Sequence, residues 1–135
     1  MIVSVFVRRL KEGATFEQFE AEWTADRGYG IPTRVFNARS LQDERDVLSI
    51  GFVAATAAEV TQWLAENPSQ DGERHDRIDT VIESTTLHGF YNLGSEHDFT
   101  TQPVKIGSDA DTSLLAPLQA ARAALDARSQ PHASE

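Results

Sequence analysis

The chain has no cysteine, which excludes disulfides, thiolate metal sites and a cysteine nucleophile and says nothing about compartment. Positive charge is scarce as well: 12 Lys and Arg stand against 21 Asp and Glu, for a formal net charge of -9. That balance repels phosphate backbones and anionic membranes. The only tight basic cluster, Arg8, Arg9 and Lys11, adjoins Glu12, so neither nucleic acid nor a membrane is an expected partner. No apolar run approaches the roughly 20 residues of a membrane-spanning helix. Arg8 and Arg9 follow the first apolar run instead of preceding it, the reverse of a signal peptide, so a cytoplasmic protein is expected. Three catalytic signatures are also missing. Gly28-Tyr29-Gly30 lacks a further glycine and runs into Pro32, no serine stands in a Gly-x-Ser-x-Gly setting, and no His-x-x-x-His spacing occurs.

What remains is an ordinary globular composition, 40% hydrophobic and 24% charged over 135 residues, suited to one domain and a tail. The apolar pattern is ordered. Ile2 to Val7 alternates as a strand, with Val3, Val5 and Val7 on one face and Ile2, Ser4, Phe6 and Arg8 on the other. The all-Val face is expected under the helices. Thr15 with Gln18 has the form of a capping box opening a helix at Phe16, whose apolar stripe is Phe16, Phe19 and Trp23. Strands are expected over Thr33 to Leu41 and Val47 to Ala54, joined by the polar loop Gln42 to Asp46. Leu48, Ile50 and Phe52 share the face expected against the helices, and Gly51, on the other face, opens space or marks a bulge. Thr56 with Glu59 repeats the capping box before a second stripe of Val60, Trp63 and Leu64, ending near Asn67 and Pro68. Both tryptophans are accounted for by core packing. Ser69 to Asp79 is a charged loop or an exposed continuation of the helix, and Thr85 to Leu93 is a last strand.

The expected fold class is therefore α+β, in the order βαββαβ, with a four-stranded antiparallel sheet, two helices on one face and the other face bare. A bare face exposing Phe6, Phe36 and Phe90 needs a partner, and a homodimer is expected. Residues 1–94 form this domain and 95–135 an extension. In the extension Val104 and Ile106 make a short strand able to pair with a sheet edge. A helix over about 113–128 has Pro117 in its first turn and docks by Leu118, Ala121 and Leu125, against a partner subunit or over a cavity mouth. Ser129 to Glu135 is expected to fray.

A βαββαβ unit with a short capped first helix, aromatics on both helices and a bare sheet face resembles the dimeric α/β-barrel superfamily over about the first ninety residues. The resemblance implies two sheets paired face to face with a cavity in each half. It covers cofactor-independent monooxygenases, heme-degrading monooxygenases, EthD-like proteins, isomerases, stress-responsive barrel proteins and ligand-binding regulators, without assigning one. The heme-degrading group has an Asn on the first strand, a Trp in the second helix and a His after it. Trp63 and His75 stand in that order here, but the strand has no Asn. No cofactor and no metal are expected.

Within such a cavity His88 is the candidate general base. Alternation places it on one face with Thr86, Phe90 and Asn92, entering the cavity if Leu87 packs on the helices. Its alternative is a plain interface or strand-edge histidine. His75 lies in the charged run Glu73 to Arg77 and acts only if that run folds over the cavity mouth. Arg8 and Arg34 are candidate clamps for a carboxylate, with interface ion pairs as the alternative. Phe36, Phe90 and Asn92 are candidate lining residues, and Tyr29 between two glycines is a gate or a packed lid. Adjacent residues of an extended Glu96-His97-Asp98 point opposite ways and make no metal site. The expected activity is binding of a small, largely apolar or acidic organic molecule, with cofactor-independent oxygenation or isomerisation if catalytic; the alternative is a non-catalytic carrier or regulatory module.

Overall fold

The computed structural model describes residues 1–24 and 28–130, with the side chains of 69–71 excepted. Strands β1 (Ile2–Leu10), β2 (Thr33–Arg39), β3 (Asp46–Val53) and β4 (Ile82–Asn92) form one sheet in the order β2-β3-β1-β4, and every neighbouring pair is antiparallel. The helices are α1 (Phe16–Trp23), α2 (Ala57–Glu66), α3 (Pro68–Asp79) and α4 (Ala116–Ser129), and a separate hairpin pairs β5 (Glu96–Asp98) with β6 (Val104–Ile106). The expected βαββαβ order and α+β class are observed.

Both capping boxes form. Thr15 accepts from the Gln18 amide while the Gln18 side chain accepts from the Thr15 amide, and Thr56 and Glu59 repeat the exchange, so each helix starts where two otherwise orphaned donors are satisfied. Asn67 closes α2 and opens α3, with Pro68 in the first turn, where a missing N–H costs nothing. The charged run after Pro68 is thus neither the expected loop nor an exposed continuation of α2 but a separate helix, because Asn67 leaves the helical conformation and Pro68 starts a new first turn. Helical spacing brings Arg74, His75 and Ile78 to one side of it, and Ile78 is completely buried.

The core occupies one end of the sheet, where Leu10, Val47 and Ile82 meet Phe19 of α1 and Ile78 of α3, flanked by Phe16, Trp23 and Val81. Burying a side chain of this size contributes about 1.5–3 kcal/mol. Because Leu10 belongs to the Ile2, Ser4, Phe6, Arg8 face of β1, that face lies under the helices. The expectation for the Val face is reversed. Val3, Val5 and Val7 register with Phe52, Ile50 and Leu48 on one side and Tyr91, Gly89 and Leu87 on the other, and together they form the bare face. Phe52, expected against the helices, packs its ring edge-on to Phe36 on this open side. Alternation tells which residues share a face, and both faces here are apolar enough to be core; the fully buried Leu10 and Val47 at the strand ends decide. Phe6 and Phe90, expected on the bare face, lie on the helix side. Two irregularities in the β1–β4 register, at Val7/Arg8 and Arg9/Leu10, keep both ends of β4 in step with the core.

At the hairpin between β2 and β3, Arg9 bonds Asp43 and Asp46, both at 2.9 Å, and the Arg45 amide, with the Arg9 guanidinium second to it, holds Asp43 below the usual carboxylate range. Beyond β4, β6 pairs with β5 and not with an edge of the main sheet. The final helix begins at Ala116, three residues later than expected from the boundary at 113, because Glu96 accepts bonds from the Ser113 hydroxyl and the Leu114 amide. It docks on its own chain. Leu118 is buried, Ala121 is exposed, and Arg122 bonds the Ala54 carbonyl and the Glu59 carboxylate at the start of α2. Residues 131–135, including most of the expected frayed end and His132, lie outside the described residues.

The Arg122 bond holds the Glu59 carboxyl at a pKa of about 2, against 4.5 ordinarily. A depressed carboxyl contributes stability that is fully present above its unfolded pKa and is lost as pH falls through the folded one. Docking of α4 should therefore weaken between about pH 4.5 and pH 2. Protection factors of the α4 amides, the observed exchange rates normalised to the intrinsic rates at each pH, should fall as pH drops through that window in the native chain and should already be low at neutral pH in Arg122→Ala. Protection factors that stay constant across the window would show that the ion pair does not hold the helix.

Candidate functional site

A pocket of about 180 Å³ lies between the sheet and the helices. Its floor is the polar-bearing face of the sheet: Ser4, Phe6 and Arg8 from β1, Ser49, Gly51 and Val53 from β3, Thr33 and Val35 from β2, His88 and Phe90 from β4. Its roof is Val60, Trp63 and Leu64 of α2, with Arg74 and His75 of α3, Trp23 of α1, and Tyr29 and Ile31 of the α1–β2 connection. No residue of α2 is buried. Its apolar stripe faces the pocket across a gap; Trp63, expected as core, is a pocket wall, and Trp23, packed against the core as expected, lines the pocket as well.

The pocket is polar at one end and apolar at the other. Ser4, Phe6 and Arg8 step along β1, and at about 3.3 Å per residue Ser4 and Arg8 are roughly 13 Å apart. At the Arg8 end the Arg8 guanidinium lies 3.9 Å from the centre of the Phe6 ring, and the His88 imidazole stacks on that ring at 3.7 Å. His75 is 5.7 Å from the same ring and 6.2 Å from His88. Arg74 lies 4.8 Å over Trp23 and donates from Nε to the Trp23 carbonyl, which ties α3 to the end of α1. At the other end Tyr29 meets Trp63 edge-on at 5.1 Å.

Arg8 is the unusual member. It is 3% exposed, and its Nη1 has no hydrogen-bond partner among the described residues. Its pKa is lowered to about 10, chiefly by removal from water, with the nearby Arg74 acting in the same direction and Asp79 opposing both. An arginine with an unused donor in a dry wall can accept a carboxylate or a phenolate with two directed bonds.

Of the residues singled out from sequence, Arg8, Tyr29, His75, His88 and Phe90 line this pocket. His88 reaches it on the helix side of the sheet, because the Leu87 face is the open one. Arg34 and Phe36 do not line it: Arg34 registers with Phe52 and Phe36 with Ile50 on the open face, and both are exposed. Asn92 shares the face of His88 but lies at the sheet end opposite Ile2, outside the pocket lining. Sequence reasoning missed Trp23, Trp63, Arg74 and Ser49 as site residues, and read Gly51 as opening space or marking a bulge without placing it in the site. For Arg74 a signal existed, its four-residue spacing to Ile78. Trp63 and His75 do share the pocket, as the heme-degrading resemblance implies, yet β1 presents Ser4, Phe6 and Arg8 there and no Asn. Among the described residues no three His, Asp or Glu side chains gather to hold a metal ion, and no helix is long and apolar enough to cross a membrane.

No family model matches the chain, and no curated protein matches it in sequence. Among solved structures, a "putative Antibiotic biosynthesis monooxygenase" from Chloroflexus aurantiacus J-10-fl superposes with a TM-score of 0.50 at 13% identity, covering 72% of this chain and 96% of that one. A likeness at that identity is one of fold. The chain shares the ferredoxin-like α+β fold of that structure.

The state of Arg8 is directly measurable. A base with a depressed folded pKa destabilises the fold below that pKa, and the penalty is relieved as pH rises toward the unfolded value. Arg8→Met removes the buried charge while keeping an apolar stem on Phe6. The ligand-free variant should be about 1–3 kcal/mol more stable than the native chain at pH 7 in urea titrations, and the advantage should shrink above about pH 10. A variant less stable than the native chain at pH 7 would mean that Arg8 is internally compensated.

Proposed function

We propose that the chain binds a small, mainly apolar organic anion in the pocket between sheet and helices, its acidic group on Arg8 and Arg74 and its apolar body against Val35, Val60, Trp63 and Leu64. The observation that carries this reading is the buried Arg8 guanidinium with an unpartnered Nη1 at the head of an apolar pocket. A desolvated charge without a partner is costly, and an anion arriving there recovers that cost as binding energy. The volume of about 180 Å³ is close to the roughly 150 Å³ cavity that accommodates benzene. It is too small for a porphyrin, which favours a cofactor-free site.

A second reading, catalysis, is favoured by His75 and His88 around Phe6 in the same space. An imidazole within reach of a bound phenolic acid can remove its proton, the step from which cofactor-independent oxygenation or isomerisation proceeds. The monooxygenase description of the structural neighbour fits this reading. The bare face suits a second copy of the chain. Phe36 is 57% exposed, Tyr91 49% and Leu87 42%, and they surround Val5 and Ile50 in a continuous apolar surface of the kind that monomers rarely leave open.

Calorimetric titration with benzoate and with uncharged benzyl alcohol tests the site. Benzoate should bind and benzyl alcohol should not, and Arg8→Met should abolish the difference; equal binding of the two would remove the anion reading. Oxygen uptake with 4-hydroxybenzoate distinguishes catalysis, which His88→Ala should stop, from simple binding. For assembly, light scattering should report a dimer at micromolar concentration, and Ile50→Lys should yield a folded monomer. A monomeric native chain would leave the open face without its expected occupant.

A further inference from the structure

Gly51 sits in the middle of β3, in the sheet interior between Ser4 of β1 and Val35 of β2. A glycine there is unfavourable. It adds conformational freedom to the unfolded chain and leaves a gap in the packed surface of a strand, at a cost of roughly 0.5–1 kcal/mol relative to alanine. The usual backbone reason is absent, since the positive-φ glycines among the described residues are Gly13 and Gly30. Steric crowding is absent too. An added Cβ would lie 3.4 Å from Val35 Cγ2 and 3.6 Å from Ser4 Cβ, ordinary contact distances. The contrast with Gly89 is direct: on the open face, a Cβ at Gly89 would fall 2.9 Å from the Tyr91 hydroxyl, so the space beside that glycine is already taken by the Tyr91 ring. At Gly51 the space that a side chain would take opens into the pocket.

We infer that Gly51 sets the depth of the pocket's apolar end and selects for organic acids whose body is a single ring, a selection that presupposes the organic-anion reading above. Gly51 neighbours Ser4, two strand repeats from Arg8, so it acts on the body of the ligand and leaves the anion clamp untouched. The volume of about 180 Å³ admits one ring with its acidic group, and a second fused ring would have to displace Trp63 or Leu64 from the roof. Growing Gly51 to leucine would occupy the ring's place while leaving room for a short acid.

The test uses the full chain and three acids, butyrate, benzoate and 2-naphthoate, titrated calorimetrically into the native protein, Gly51→Ala and Gly51→Leu. In the native protein benzoate should bind at least about tenfold more tightly than 2-naphthoate, the discrimination a pocket draws from a misfit of a methylene or more. Gly51→Leu should lose benzoate affinity by at least about tenfold and hold butyrate within about threefold, with Gly51→Ala between the two. The thermal midpoint is recorded for each. If the leucine variant does not fold, the alanine variant alone carries the comparison, since its Cβ meets no close atom. Benzoate binding equal in all three proteins, or 2-naphthoate binding as tightly as benzoate to the native protein, would overturn the role of Gly51 with the anion site intact. Failure of the native protein to bind any of the three acids would overturn the anion reading itself and this selection with it.

Discussion

A guanidinium removed from water, one of its nitrogens without a hydrogen-bonding partner among the described residues, is the constraint around which this molecule is arranged. Arg8 sits on β1, one of the two inner strands, so it cannot swing out to solvent along an edge. Its environment provides ring faces, Phe6 at 3.9 Å and Phe19 at 6.0 Å, which stabilise a cation weakly and give its Nη1 no acceptor. The remaining stabilisation has to come from the one side that is open, the pocket. With Arg74 adding like charge and Asp79 offsetting part of it, that pocket end is a place where negative charge is favoured.

The two faces of the sheet divide their work accordingly. The face toward the helices carries Ser4, Arg8, Ser49 and His88 among apolar residues and encloses a space. The open face is almost entirely apolar: Val3, Val5, Val7, Leu48, Ile50, Phe52 and Tyr91 lie in register across three strands. A polar-bearing face can be left partly hollow because a ligand or water satisfies its groups. A face of aliphatic and aromatic side chains has only another apolar surface to turn to.

Helix α2 shows how the hollow is held open. Its stripe of Val60, Trp63 and Leu64 would close onto the sheet if nothing restrained it, yet no residue of α2 is buried. Its first turn is fixed from both directions, by the Thr56–Glu59 capping box within the helix and by Arg122 of α4, which bonds Glu59 and the Ala54 carbonyl. Its far end runs into α3 at Asn67, and α3 is anchored by Ile78 in the core and by Arg74 on the Trp23 carbonyl. The segment after Gly94 thus bears on the site through the roof helix.

Much of the architecture was legible in the chain alone, because it depends on local chemistry. The capping boxes at Thr15 and Thr56, the polar hairpin from Gln42 to Asp46, the break at Pro68 and the two-residue alternation of each strand act over a few residues. The candidate site was legible in part: Arg8, His75, His88, Tyr29 and Phe90 came from sequence, whereas Arg34, Phe36 and Asn92 are placed elsewhere. The difference has one physical origin. Alternation establishes which side chains travel together and carries no sign, so Val3 with Leu48 and Phe6 with His88 were separable as sets while the side each set would face was not. That choice was made at a distance, by Leu10 and Val47 closing on Phe19 and Ile78, residues brought together only when α1 and α3 fold back over the end of the sheet. The same tertiary step turned Trp63 from core into pocket wall, buried Arg8, and turned the space left by Gly51 towards the pocket.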